Sequence, residues 1–217
     1  ERIHIYTKEN EGVSAARNYG IMHAKYDYIA FLDADDIWES DYLECQKKLI
    51  GTYPDAGIYS TAFYSLEKRK RKLRNVLINE HIHFLVHDYF KESVMNGLSI
   101  CWTSSLCLKK EVIKEIPMFR VGIKRGEDLD LWLRIALNYD VAYLNLPKVF
   151  YRTGLSDSLT SDYSKNGEFP YYEWFNFTSE SSYYRKYVIL VVYIHAKNAF
   201  IHHDYDTCLA ELWSVKT

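Results

Sequence analysis

Long apolar runs are missing from this sequence. The best, Val188 to Ile194, is seven residues long, well short of the roughly 20 that a helix needs to cross a bilayer. Cysteine is scarce: positions 45, 101, 107 and 208 show no Cys-x-x-Cys spacing and no paired framework. That excludes a disulfide-stapled scaffold and sets a reduced, cytoplasmic setting with buried thiols as the expectation. No excess of either charge is present, since 27 Lys and Arg face 29 Asp and Glu for a net charge of -2. The balance gives no global pull toward nucleic acid, and none is expected as a partner. The sequence shows no internal repeats and no low-complexity segments, does not open on Met, and is read as carrying no signal-peptide pattern. What remains is rich in core-forming residues: 48% hydrophobic and 16% aromatic, with 20 Tyr in 217 residues. Such a composition argues against disorder, and the length suits one domain with a small appendage.

The most informative stretch is Tyr28-Ile29-Ala30-Phe31-Leu32-Asp33-Ala34-Asp35-Asp36. An apolar run too short for a helix and bounded by charge predicts a buried strand, with carboxylates delivered at its C-terminal end. Ligands of open α/β sheets bind at such ends. Carboxylates so close repel one another, and a divalent cation, a raised pKa or solvent relieves the repulsion. On extended backbone Asp33 and Asp35 point the same way and suit one hard cation. A plainer reading has Asp35 or Asp36 capping a helix that begins near Glu39.

Two further segments set the context. Asn10-Glu11-Gly12-Val13-Ser14-Ala15-Ala16-Arg17-Asn18-Tyr19-Gly20-Ile21 lies upstream, and Gly126-Glu127-Asp128-Leu129-Asp130-Leu131-Trp132-Leu133-Arg134 lies downstream. In this order and with this content, the three segments resemble family 2 glycosyltransferases of the GT-A fold. The resemblance covers about residues 1 to 152.

The resemblance implies transfer of a sugar from a nucleotide-diphosphate sugar to an acceptor hydroxyl, metal-dependent and inverting, in surface glycan or polysaccharide synthesis. Mg²⁺ or Mn²⁺ would be held by Asp33 and Asp35, with Asp33 also near the ribose. Asp128 would be the general base. Asn10 and Arg17 would approach the donor, and Glu127, Trp102 and Trp132 the acceptor, a glycan or lipid-linked glycan. For several of these residues a structural reading stands beside the functional one. Arg17 suits a diphosphate through its planar fork, yet equally suits an ion pair with the acidic cluster. Trp102 offers a flat wall to a sugar or simply packs. Asp128 sits where a helix dipole favours any carboxylate. Many relatives carry a His shortly after the Tyr-Arg pair, where this chain has Thr153 and Gly154, so water or diphosphate oxygens would complete the metal's shell.

Other segments are placed by pattern. Ile3 to Tyr6 reads as a strand, Ser14 as the N-cap of a helix to Ala24, Ser40 to Ile50 as a helix, and Gly57 to Ser65 as a strand. Lys68-Arg69-Lys70-Arg71-Lys72-Leu73-Arg74 is a solvated turn, or else a contact with anionic lipid at the inner membrane face or with an acceptor phosphate. His81, His83 and His87 match no metal-binding spacing. Ser156 to Gly167 reads as a linker.

The expected fold is therefore α/β, with a GT-A-like, mainly parallel sheet flanked by helices and a helical C-terminal extension. Residues 1–155 form the transferase domain and 156–217 the linker and extension. The family's members start roughly fifty residues earlier, a span in proportion to ordinary domain size, with strands that hold the nucleotide base. Without them the Ile3 to Tyr6 strand either pairs directly and in parallel with the Tyr28 to Leu32 strand, the favoured expectation, or lies loose. Nucleotide-sugar binding by this chain is then expected at about millimolar, roughly −4 kcal/mol. Two alternatives are a non-enzymatic remnant that binds a partner, and a phosphohydrolase of the haloacid dehalogenase type, which also places Asp-x-Asp after a hydrophobic strand.

Overall fold

A computed structural model describes residues 3–67, 70–123, 125–154 and 171–215. The elements run α1 (Val13–His23), β1 (Tyr28–Ala30), β2 (Ile37–Trp38), α2 (Tyr42–Thr52), β3 (Ile58–Glu67), β4 (Lys70–Arg74), β5 (His83–Val86) and α3 (Tyr89–Asn96). A 3-10 turn (Thr103–Ser105) leads to β6 (Leu106–Lys109), α4 (Lys110–Glu115), α5 (Glu127–Ala136) and β7 (Val141–Arg152). Three helices close the chain: α6 (Tyr171–Trp174), α7 (Tyr184–Ile201) and α8 (Tyr205–Ser214).

The sheet has the order β1-β6-β3-β7-β2, with β4 added to β3 and β5 to β7. Its α/β character and helical C-terminal part agree with expectation, but the strand directions are mixed rather than mainly parallel. Among the described residues only β3 and β7 run in parallel, and the other pairings are antiparallel. Parallel neighbours need a long crossover, which the excursion from β3 through α5 to β7 supplies, whereas β3 and β4 pair antiparallel with Glu67 opposite Lys70. β3 is buried at Ile58, Tyr59, Ser60, Thr61, Ala62 and Phe63 in succession. A central strand covered on both faces has no polar side to alternate with.

Several local expectations are corrected. Residues 3–12 form no strand, and Ile3 and Ile5 are 76% and 89% exposed. β1 pairs antiparallel with β6 instead, matching Tyr28 with Lys109 and Ala30 with Cys107. At three residues β1 is shorter than the run Tyr28 to Leu32, and a pairing that short returns little for the entropy of fixing a second strand beside it. Helix α1 begins after Gly12, whose φ of 89° suits glycine, and no side chain caps it. Ser14 is the second residue of the helix rather than its cap, buried, with its hydroxyl unpartnered. The basic stretch is a strand over Lys70–Arg74 rather than a turn. The division at 155/156 and the linker Ser156 to Gly167 lie outside the described residues.

α7 buries Tyr187, Val188, Val191 and Val192 in the same apolar core as Ile58, Leu131 and Trp132. Beneath it the Asp130 carboxylate is fully buried, accepting from Trp174 Nε1 at 2.9 Å and pairing with Arg134 at 2.8 Å. Arg134 also donates to the Met118 carbonyl at 3.0 Å. Removing one member of a buried ion pair leaves the other charge uncompensated. Asp130→Ala is therefore expected to cost about 3–5 kcal/mol, read as a lowered urea midpoint with an unchanged slope.

Among the described residues no helix is long and apolar enough to cross a membrane.

Candidate functional site

The acidic end of β1 is shaped by the turn that follows it. Asp33 and Asp35 do not lie on extended backbone: Ala34 and Asp35 form a turn, closed by the Asp36 N–H donating to the Asp33 carbonyl at 3.0 Å. The 3-10 turn before β6 clasps this loop from below, because β6 is β1's sheet partner. Ser104 Oγ accepts the Asp33 N–H at 3.0 Å, and the Ser104 carbonyl accepts Trp38 Nε1 at 2.7 Å. From the other side comes the end of β7, where the Arg152 N–H donates to Asp36 Oδ1 at 3.2 Å and its Nε donates to the Asp35 carbonyl. Asp36 is buried, and burial pushes its pKa up to about 6. Asp33 and Asp35 remain partly exposed.

Helix α5 presents its first residues to this loop. Arg17, from α1, joins the two: its guanidinium donates to Asp33 Oδ1 and to Glu127 Oε1, each at 2.8 Å. It also lies over the Phe119 ring at 5.3 Å. Burial works against its charge, but the carboxylates of Asp33, Asp128 and Glu127 outweigh that cost and hold it cationic. Glu127 is pushed up to about 7, first by burial and then by the like charge of Asp128. Burial raises Asp128 too, and Arg17 opposes the rise. Asp128 Oδ2 accepts from the Thr103 hydroxyl at 3.3 Å, and Oδ1 accepts the Leu129 N–H at 2.7 Å. Strand-end and helix-start carboxylates, from positions 33 and 127, thus meet on one guanidinium.

The other site residues read from the sequence divide. Asn10 is exposed, and its Oδ1 accepts the Gly12 N–H at 3.1 Å, forming the loop before α1. Trp102 is partly exposed, its ring 4.5 Å from that of Tyr151 and 5.6 Å from Phe63. Trp132 is 0% exposed and packs against Phe31 and Phe119. A ring with no open face cannot meet an acceptor, so the role expected for Trp132 is corrected to core packing. Its place in α5, four residues after Asp128, turns it inward along with Leu131 and Ile135.

Sequence reasoning named none of Thr103, Ser104 and Arg152 as a site residue, and it gave Asp36 only the role of a helix cap. The small-residue run at 103–105 and the Tyr151-Arg152 pair were the signals available, but only the β1–β6 and β3–β7 registers bring them to the acidic loop.

A Mg²⁺ or Mn²⁺ ion fits the donor set. Two partly exposed carboxylates at one loop match the way Mg²⁺ is commonly held, by one or two carboxylates with phosphate oxygens and water. No group of three His, Cys, Asp or Glu suited to a metal occurs among the described residues, so Asp33 and Asp35 would supply only part of the shell.

The linkage of Glu127 is testable through stability. Its folded pKa of about 7 lies above the ordinary 4.5. A raised carboxyl contributes stability that is complete below its unfolded pKa and is lost as pH rises through the folded value. The native protein's stability relative to Glu127→Gln should therefore fall between pH 5 and pH 8, by at most about 3 kcal/mol. Paired urea titrations at the two pH values read it.

A mixed sheet with an acidic loop at one strand end, faced by the carboxylates of a second helix, defines a GT-A-like α/β protein. Its fold matches that of Staphylococcus aureus TarS 1-349 in complex with UDP-GlcNAc, at a TM-score of 0.69 and 14% identity, covering 93% of this chain and 60% of that one. It also matches the mannosyltransferase PcManGT from Pyrobaculum calidifontis in complex with GDP-Man and Mn²⁺, at a TM-score of 0.55 and 15% identity, covering 95% and 55%. In sequence, the family described as glycosyl transferase family 2 matches residues 1–116, and the chain belongs to that family.

An uncharacterized glycosyltransferase of Rickettsia felis is 32% identical over 139 residues, 63% of this chain and 21% of the relative. TuaG of Bacillus subtilis, named as a teichuronic acid biosynthesis glycosyltransferase, is 30% identical over 144 residues, 66% of this chain and 53% of the relative. The chain thus spans between a fifth and about half the length of these relatives. Family membership sets aside the haloacid dehalogenase alternative, which in any case left the Asn10 to Ile21 segment without a role.

Proposed function

We propose that the protein transfers a sugar from a nucleotide-diphosphate sugar to an acceptor hydroxyl, with inversion, in the synthesis of a surface polysaccharide. The observation that carries this reading is the Arg17 bridge, which draws Asp33 and Glu127 to one guanidinium. A general base has to reach the acceptor hydroxyl while the leaving group is held, so both functions belong in one cleft. The nucleotide sugars in the structures of similar fold and the name of TuaG support the substrate class.

Asp33 and Asp35 would hold Mg²⁺ or Mn²⁺, which when bound offsets the negative charge that grows on the leaving diphosphate. Arg17, placed beside Asp33, is the cation that this chain itself brings to the diphosphate, and Asn10, in the loop before α1, would approach the donor. Asp128 takes the proton of the acceptor hydroxyl as its oxygen forms a bond to the anomeric carbon. The bond from that carbon to the diphosphate oxygen breaks, and its electron pair leaves with the nucleotide. Burial strengthens Asp128 as a base, because a carboxylate of raised pKa holds a proton better. Thr103 aims its Oδ2. Glu127 and the partly exposed Trp102 border the acceptor side. The acceptor is a glycan or lipid-linked glycan, and the four free cysteines suit work in a reduced cytoplasm. A second reading, a non-enzymatic partner-binding protein, is favoured by no observation at this cleft.

Release of nucleoside diphosphate from a panel of uridine, guanosine and thymidine diphosphate sugars, with Mn²⁺ present, tests the reading in the encoded protein. One donor should be consumed. Consumption of none, by protein that binds none, would refute it.

A further inference from the structure

The hairpin of β3 and β4 has a place in the fold that the site itself does not explain. All five residues of β4 are exposed, and four of them, Lys70, Arg71, Lys72 and Arg74, are cations. Among the described residues none of the four makes an ion pair with a carboxylate. Arg71 stacks on the Phe150 ring at 4.8 Å, and Arg74 Nε donates to the Ser65 hydroxyl at 3.2 Å. Charge on an edge strand keeps it from pairing with other chains, but a single lysine achieves that. Four cations of one sign in five residues repel one another and call for a counter-charge.

The register shows where that counter-charge would come from. Lys72 stands opposite Ser65, and Ser65 opposite Tyr151, so one row crosses β4, β3 and β7. Residues directly opposite one another share a sheet face, as do residues two apart, which puts Lys70, Lys72 and Arg74 on the face of Tyr151. The Tyr151 ring is 4.5 Å from Trp102, and the next residue after Trp102, Thr103, donates to Asp128. The neighbouring row joins Arg71, Leu66 and Arg152, and Arg152 donates to the Asp35 carbonyl. Two strand spacings, roughly 10 Å, therefore separate the cations from the residues that border the acidic loop. Their five-residue strand is about 13 Å long at an ordinary strand rise, long enough to meet more than one negative group.

We propose that Lys70, Lys72 and Arg74 form an extended subsite for the acceptor, and that the acceptor carries phosphate, held along β4 while its hydroxyl reaches Asp128. Arginine's planar fork meets two phosphate oxygens at once, and lysine adds point charge. The proposal rests on reading the cleft as a transferase site and adds the acceptor's chemistry to it. Phosphate is also the headgroup chemistry of anionic lipids, which a cation strip attracts. The position of the strip, beside the aromatic wall of the cleft, favours the acceptor.

The test compares the native protein with the triple variant Lys70→Gln, Lys72→Gln, Arg74→Gln, without divalent metal so that the acidic loop does not compete. Sodium tripolyphosphate serves as the soluble probe. Vesicles of phosphatidylcholine, with and without phosphatidylglycerol, serve as the membrane probe. Native protein should bind tripolyphosphate, more weakly as salt rises, and the variant at least tenfold more weakly. The urea unfolding midpoint should be unchanged in the variant, which shows that it is folded. Equal tripolyphosphate binding by both proteins would overturn the proposal. So would native protein that binds the phosphatidylglycerol vesicles and ignores tripolyphosphate, because the strip would then address a bilayer. Absence of donor consumption by the native protein would instead count against the transferase reading, leaving the phosphate comparison readable.

Discussion

Asp128→Asn is expected to lower sugar transfer by about 10²–10⁴-fold, the range for removal of a positioned general base, while donor affinity stays within a few-fold of native. Asparagine keeps the shape: its Oδ1 can still accept the Leu129 N–H, and its Nδ2, in the place of Oδ2, can donate to the Thr103 hydroxyl oxygen, so the site's geometry survives. What it loses is the ability to take a proton. Because the proposed base would act on the acceptor and not on the nucleotide, the loss should belong to turnover rather than donor binding. Single-turnover transfer and donor titration on the same protein separate the two. A parallel fall in donor affinity would mean that Asp128 holds the nucleotide sugar instead.

The second large effect is expected at Asp35. Asp35→Ala should abolish the tight Mn²⁺ site and weaken Mn²⁺-dependent donor binding by at least about 100-fold, since changes even to residues that only support metal ligands cost 10–100-fold. Asp35 is a cleaner choice than Asp33, whose Oδ1 also accepts from Arg17. Loss of Asp33 would release Arg17 to Glu127 alone and confuse an ion-pair effect with a metal effect. The Asp35 backbone carbonyl, which accepts from Arg152, is untouched by the substitution. Mn²⁺ titration of the native protein and of Asp35→Ala reads the difference, and equal affinity in the two would remove the metal assignment.

How much of this was legible before folding depends on what each signal encodes. The run ending at Leu32 marked a strand with carboxylates beyond it, because apolar length and flanking charge are local properties. α5 was equally legible from the spacing of Leu129, Trp132 and Leu133. The same spacing could not tell which ring faces a ligand, and Trp132 proved fully buried while Trp102 kept a partly open side.

Pairing was less legible still. Ile3 to Tyr6 has strand-like residues but lies in no strand, and β1 took β6 as its partner. Which edge a strand pairs with is settled by the whole sheet. The basic stretch over Lys70–Arg74 resembled a solvated turn by composition, yet it forms a strand because β3 offers it a free edge. Ser104, Thr103 and Arg152 entered the site through sheet register, which no motif records. For Arg17 the sequence left two roles open. The ion pairs with Asp33 and Glu127 establish one of them.

The most direct test of a single cleft is a crystal of the encoded protein with Mn²⁺ and a nucleoside diphosphate, read by anomalous diffraction at the manganese edge. The expected map has one strong peak between the carboxylates of Asp33 and Asp35, with the diphosphate beside it on the side that faces Asp128. A manganese peak away from both carboxylates, or a diphosphate on the far side of the sheet from Asp128, would contradict the assignment of donor, metal and base to one site.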